Sequence, residues 1–212
     1  MMISLTGFMG CGKSSVGREL SRLLCCPFMD LDSVIEERAG RRIPEIFSSD
    51  GEEAFRRMER DAVIEILEIQ ETKQCPPLAP SHFVGPSPYA GVRKCQFRTH
   101  ASSPEYDQSE INKYLNATVL ALGGGTVMTP ECAKIVHEKT LCIYLRASVD
   151  TLLRNLVDEA AGRPMLQGDL QARIEELMSL RSATYENTAH IIIDTDGKSA
   201  AEIASEIFDS LN

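Results

Sequence analysis

The chain has 212 residues, 43% of them hydrophobic, with 31 Asp and Glu against 22 Lys and Arg and a formal net charge of −9. That length suits one well-buried domain and is short for two, and the acidic balance argues against a general nucleic-acid surface, so an anionic substrate needs a local basic site. No stretch approaches the ~18 apolar residues needed to cross a bilayer, and the seven cysteines include no Cys-x-x-Cys, which points to reduced core thiols in a cytosolic protein without a membrane partner.

The first predicted element is the apolar run Met2–Thr6, read as a buried strand, and directly after it Gly7–Ser14 spells GFMGCGKS. This fits Gly-x-x-x-x-Gly-Lys-Ser, a phosphate-binding loop. Gly7, Gly10 and Gly12 let backbone N–H groups turn inward around anionic oxygens, Lys13 reaches the β and γ phosphates, and the Ser14 hydroxyl is placed to ligate Mg²⁺. Val16, Leu20, Leu23 and Leu24 then recur at helical spacing, so a helix starts at the loop and adds its N-terminal dipole to the anion site. Since the N-terminus itself reads as a core strand, no signal or transit peptide is expected.

A second strand, Pro27–Asp30, runs into Phe28-Met29-Asp30-Leu31-Asp32 and brings two carboxylates to the edge where the loop opens. In a strand, residues two apart share a face. One acid near the metal and one accepting a hydroxyl proton is the division of labour that phosphoryl transfer needs; the alternative is that one Asp simply caps the next helix. Helices are expected at about Ser33–Ala39 and Asp50–Ile69, the second started by Asp50 with Glu53 three residues on. Arg56 and Arg57 lie on it. An arginine offers a carboxylate two parallel N–H donors, although helical arginines commonly only solvate a face.

From Gln70 to Asn116 the chain carries six of its ten prolines and no sustained periodicity, with five Lys and Arg against four Asp and Glu. Loops beyond ~15 residues are uncommon in compact domains, so this is read as a flexible insertion. It enters ahead of the strand Thr118–Leu122, on the side away from the strands' carboxyl ends, where ligands gather. Gly123-Gly124-Gly125 closes that strand and marks either a close approach of backbone to another group or a tight turn. Thr129 with Pro130 and Ser199 with Glu202 start further helices, and Thr140–Leu145 and His190–Ile193 are the remaining strands. Arg163-Pro164-Met165-Leu166 follows a glycine between helices and suits a mobile lid; Arg181 stands one turn before Tyr185. The four histidines show no metal-ligand spacing. Strands alternating with helices predict an α/β fold with a parallel five-stranded sheet between two helical layers.

Together GFMGCGKSS, FMDLD, DGEEAFRRME, LALGGGTV, GRPML and LRSATY resemble the shikimate kinase family, in the right order and over nearly the whole chain outside the insertion. The resemblance implies a three-layer P-loop kinase fold in one domain, 1–212, with the insertion at 70–116, a helical substrate-binding subregion at 33–61 and a lid at about 155–168. It implies that Gly10, Cys11, Gly12, Lys13, Ser14 and Ser15 hold the ATP phosphates, with Ser14 and Asp30 serving Mg²⁺, Asp30 through water. Asp32 would contact the attacking shikimate hydroxyl as candidate base. Arg56 and Arg181 would clamp the shikimate carboxylate beside Gly123, Gly124 and Gly125, with an N–H at Gly124 positioning the ring. Lys13, Asp32 and Arg163 would carry catalysis, with Arg163 closing over ATP, Lys198 lying near adenine and Arg154 stacking on it. A monomer is implied, the insertion adding at most an unknown contact. The rivals are a kinase for another small hydroxylated acid such as gluconate, and a nucleotide-binding scaffold with vestigial turnover.

Overall fold

The computed structural model describes residues 1–72, 117–157 and 169–211. Five strands form one parallel sheet: β1 (Met2–Thr6), β2 (Phe28–Asp30), β3 (Thr118–Ala121), β4 (Leu141–Arg146) and β5 (Ile191–Asp194), in the order β2-β3-β1-β4-β5. β1 lies between β3 and β4, and every one of its residues is buried, as expected of a strand covered on both faces. Its one buried serine stays satisfied because Ser4 Oγ shares a 2.6 Å hydrogen bond with Thr140 Oγ1.

The helices are α1 (Lys13–Leu23), α2 (Leu31–Ala39), α3 (Ile43–Thr72), α4 (Pro130–Lys139), α5 (Val149–Leu156), α6 (Leu170–Thr188) and α7 (Ala200–Ser210), with a 3₁₀ turn at Thr126–Met128. α1 packs on α7, while α3, α4 and α6 pack together, giving the expected helical layers about the sheet. Val16, Leu20 and Leu24 are wholly buried, as their spacing predicts. The Ser199–Glu202 capping box of α7 is fully formed, and Pro130 occupies the first turn of α4.

Three expectations need correction. β2 ends at Asp30, and Asp32 stands in the first turn of α2, so the two acids share an edge through a helix cap rather than a strand face. A helical segment does start after Asp50-Gly51, where α3 breaks at Gly51 (φ 82°, ψ 173°), but an earlier segment begins at Ile43 and the Asp50 carboxylate pairs with Arg41 at 2.5 Å. α3 also extends to Thr72, past the predicted start of the insertion, and residues 73–116 lie outside the described ones.

His137 and His190 stack with ring centroids 4.5 Å apart, and His190 Nδ1 accepts the Cys142 N–H at 3.1 Å, a structural use. Cys11, Cys25, Cys26, Cys132 and Cys142 are free thiols. His82, His100, Cys75 and Cys95 fall outside the described residues.

Candidate active site

All five strands are parallel, so their carboxyl ends share one edge, and the predicted site residues sit in the loops leaving it. The loop after β1 turns through Gly7, Gly10 and Gly12 at φ 143°, 80° and 93°, a region that side-chain-bearing residues rarely enter. Gly12 caps α1 without a side-chain hydrogen bond, which leaves the first helical N–H groups to an anion. Lys13 Nζ donates to the carbonyls of Gly7 and Phe8, both at 2.9 Å, so the ammonium is held against the loop's own rim. Asn155 Nδ2 on α5 donates to the Gly10 carbonyl at 2.9 Å, and Leu156 packs against Gly10 so closely that a Cβ there would stand 2.6 Å from its Cγ. A cleft of about 410 Å³ opens between this loop and the next two, lined by Met9, Lys13, Ser14, Ser15, Asp32 and Gly124 among others.

Asp30 does two jobs. Its Oδ1 accepts the N–H groups of Asp32 and Ser33, at 3.1 and 3.4 Å, and caps α2. Its Oδ2 accepts the Ser14 hydroxyl at 2.5 Å. The capping reading therefore holds for Asp30, which also stands beside Ser14, while Asp32 lines the cleft. Among the described residues no group of three or more His, Cys, Asp or Glu could hold a metal. Two adjacent oxygen donors at a phosphate loop, with no protein cage, fit Mg²⁺, which keeps several waters and binds through substrate phosphates.

The glycine turn after β3 explains its composition by what surrounds it. A Cβ on Gly123 would meet Glu59 Oε1 at 2.5 Å, Asp32 Oδ1 at 2.9 Å and Thr126 Oγ1 at 2.9 Å. On Gly124 it would meet Met9 N at 3.1 Å, and on Gly125 it would strike Arg56 Nη1 at 2.1 Å. Three glycines in a row thus admit a carboxylate pair, the phosphate loop and a guanidinium. Arg56 is pinned by Glu52 at 3.0 Å and by Glu59, whose 2% exposed carboxylate also accepts the Thr126 hydroxyl at 2.8 Å. Arg57 points away and pairs with Glu53.

Arg181, only 7% exposed, lies 6.0 Å over the Phe8 ring and donates to the Gly124 carbonyl at 3.4 Å. Among the described residues no carboxylate comes within ion-pair distance of it, so a buried cation faces the turn without a counter-charge. Tyr185 donates its hydroxyl to the same carbonyl.

A second cavity, of about 450 Å³, lies beyond the phosphate loop and is lined by Arg154, Lys198, Thr195 and Gly197 with Val16 and Ile203. Arg154 Nη2 donates to Thr151 Oγ1 at 2.9 Å and Lys198 Nζ to Glu206 at 2.5 Å. The two cations border one hollow that suits a flat base. Arg163 and residues 158–168 of the expected lid lie outside the described residues.

Sequence reasoning missed Glu59 and Asn155. Glu59 had a signal: it falls on the stripe Phe55, Ala62, Val63, Ile66, all buried, and an acid on an apolar stripe needs a partner. Asn155 had none, because its partner is a carbonyl 145 positions away.

A parallel sheet with a phosphate loop after its central strand, a short acidic β2 terminus and a basic pocket on the opposite wall is the build of a P-loop kinase. The family model described as shikimate kinase matches residues 9–73 and 105–212, leaving 74–104 between its two parts. Shikimate kinase of Thermus thermophilus is 37% identical over 99% of this chain and 89% of its own length. That of Marinomonas sp. is 32% identical over 99% and 91%. The solved shikimate kinase of Acinetobacter baumannii in complex with shikimate superposes with a TM-score of 0.74 at 26% identity, covering 99% of this chain and 92% of that one. The chain belongs to the shikimate kinase family.

Proposed function

We propose that the chain transfers the γ-phosphoryl group of ATP to the 3-hydroxyl of shikimate, giving shikimate 3-phosphate and ADP on the route to chorismate and the aromatic amino acids. The observation that carries this reading is Arg181: a buried guanidinium without a carboxylate among the described residues, set on the same glycine turn as Arg56 and over the Phe8 ring of the phosphate loop. A small anionic acceptor with ring hydroxyls supplies what is missing. Its carboxylate pairs with the two arginines, and its hydroxyls meet Asp32.

In this reading Gly10 to Ser15 receive the phosphates, Arg154 and Lys198 border the base, and the Gly123–Gly125 turn seats the ring. The shikimate hydroxyl oxygen attacks the γ-phosphorus, its proton passes to Asp32 or is oriented by it, and the bond to the β-phosphate oxygen breaks to release ADP. Lys13 leaves the loop carbonyls to neutralise the growing charge, and Arg163 adds a second cation. Ser14 and Asp30 would hold Mg²⁺, which supplies charge neutralisation between nucleophile and phosphates. We take a monomer as the working unit. Among the described residues no helix is long and apolar enough to cross a membrane, and we place the reaction in the cytosol.

The test is a coupled ADP-release assay. Turnover should require shikimate and Mg²⁺ together; equal turnover with gluconate or a nucleoside monophosphate, and none with shikimate, rejects the assignment.

A further inference from the structure

The glycine turn is held from behind by a residue that the proposed chemistry does not use. Tyr185 is 0% exposed, and its ring stacks on Tyr144 with centroids 5.2 Å apart. Burial pushes its phenol up, so the hydroxyl stays protonated and remains a donor at any working pH. That hydroxyl donates to the Gly124 carbonyl, which also receives Arg181 Nη1 at 3.4 Å. One backbone oxygen therefore takes two donors from consecutive turns of α6.

Peptide geometry gives this bond a consequence in the cleft. No peptide among the described residues is cis, so the Gly125 N–H points opposite to the Gly124 carbonyl in the same plane, away from α6. Three glycines in succession have no side chains to hold that plane, and glycine is the residue that loses most freedom on ordering. Among the described residues no backbone carbonyl accepts the N–H groups of Gly123, Gly124 and Gly125, while Gly124 lines the phosphate-side cleft. A set of backbone donors beside a buried guanidinium is useful to an anion only if both stay in register.

We infer that Tyr185 is a positioning residue for the acceptor site: its hydroxyl locks the Gly124 peptide and, with it, the guanidinium of Arg181 against the substrate's carboxylate end. This rests on the shikimate reading above. Tyr185 touches no substrate, and its removal misorients groups that do. Tyr144 is the built-in control, being buried in the same stack while only the Tyr185 hydroxyl reaches the turn.

The experiment compares Tyr185→Phe and Tyr144→Phe with wild type by steady-state kinetics in both substrates, with thermal melting to report folding. Tyr185→Phe should raise KM for shikimate by about three- to tenfold, the worth of one hydrogen bond, and leave KM for ATP within about twofold. Tyr144→Phe should leave both constants unchanged whatever it does to the melting temperature. Equal movement of both KM values in Tyr185→Phe, or none in either, overturns the positioning role and leaves only packing. If Tyr185→Phe does not fold, a ring-fluorinated tyrosine at position 185 keeps the shape and makes the hydroxyl a stronger donor. KM for shikimate should then move alone, and an unchanged value overturns the role. Wild-type protein that never turns over shikimate rejects the functional reading and this inference with it, whereas normal wild-type turnover with an indifferent Tyr185→Phe rejects the inference alone.

Discussion

Gly125→Ala should cripple acceptor binding while sparing the fold. Gly125 adopts φ −115° and ψ −3°, which alanine accepts, so the backbone itself is not strained. The new methyl would stand 2.1 Å from Arg56 Nη1, 2.5 Å from Cζ and 2.6 Å from Nη2. Ordinary contact needs about 3.5 Å, so the guanidinium must retreat by more than about 1 Å. Arg56 is the far end of a flexible side chain and can move, but only by leaving the geometry that Glu52 and Glu59 impose. Loss of one charge-assisted hydrogen bond to the substrate carboxylate costs about 1.5–3 kcal/mol, equivalent to about a 10- to 150-fold rise in KM for shikimate. KM for ATP should stay near wild type, and the gain from restricting the unfolded chain, about 0.4–1 kcal/mol, offsets part of the local strain. The assay is steady-state ADP release for Gly125→Ala, Arg56→Ala and the double variant. Because the methyl acts through Arg56, it should cost little in the Arg56→Ala background. A KM for shikimate within twofold of wild type, or an equal penalty in both backgrounds, would refute the proposed contact.

Asp30→Asn keeps a good helix cap but loses a metal-competent carboxylate, so half-maximal activity should need several-fold more Mg²⁺ with little change in melting temperature; an unchanged Mg²⁺ titration rejects the metal role. Asn155→Ala removes the bond to the Gly10 carbonyl and should raise KM for ATP by a few fold, about 0.5–1.5 kcal/mol, without moving KM for shikimate. Burial pushes the Cys132 and Cys142 thiols up to about 11 from the ordinary 9.0. Below pH 9 both states keep these protons, and between 9 and 11 only the unfolded chain releases them, so the denaturant midpoint should fall across that window and Cys142→Ala should lessen the fall. Ala117, where the chain re-enters, adjoins the amino end of β3, opposite the phosphate loop, and the family model passes over 74–104. Replacing those residues with a short Gly/Ser linker should keep kcat and both KM values within a few fold; a folded variant that loses turnover places the segment in the site.

What could be read in advance follows how local each interaction is. The phosphate loop was legible because its chemistry is written in eight consecutive residues, and the sheet because strands covered on both faces must be continuously apolar. Asp32 was legible as a site acid but assigned to the wrong element, since the local pattern does not say whether Asp30 ends a strand or caps a helix when it does both. Asp50-Gly51 looked like a helix start because a capping acid before glycine and two glutamates is what one looks like. The start is real, yet Arg41 claims the acid, and a separate helical segment precedes it from Ile43. The triple glycine announced that something approaches closely without saying what. Its neighbours arrive from α2, α3 and the phosphate loop, at distances in sequence that no local pattern records. Glu59 marks the boundary between the two cases. Its place on a buried stripe required a partner, and Arg56 three residues earlier was the nearest candidate; only the fold adds that Thr126 and Gly123 close the same pocket, so that the arginine is held facing the turn rather than solvent.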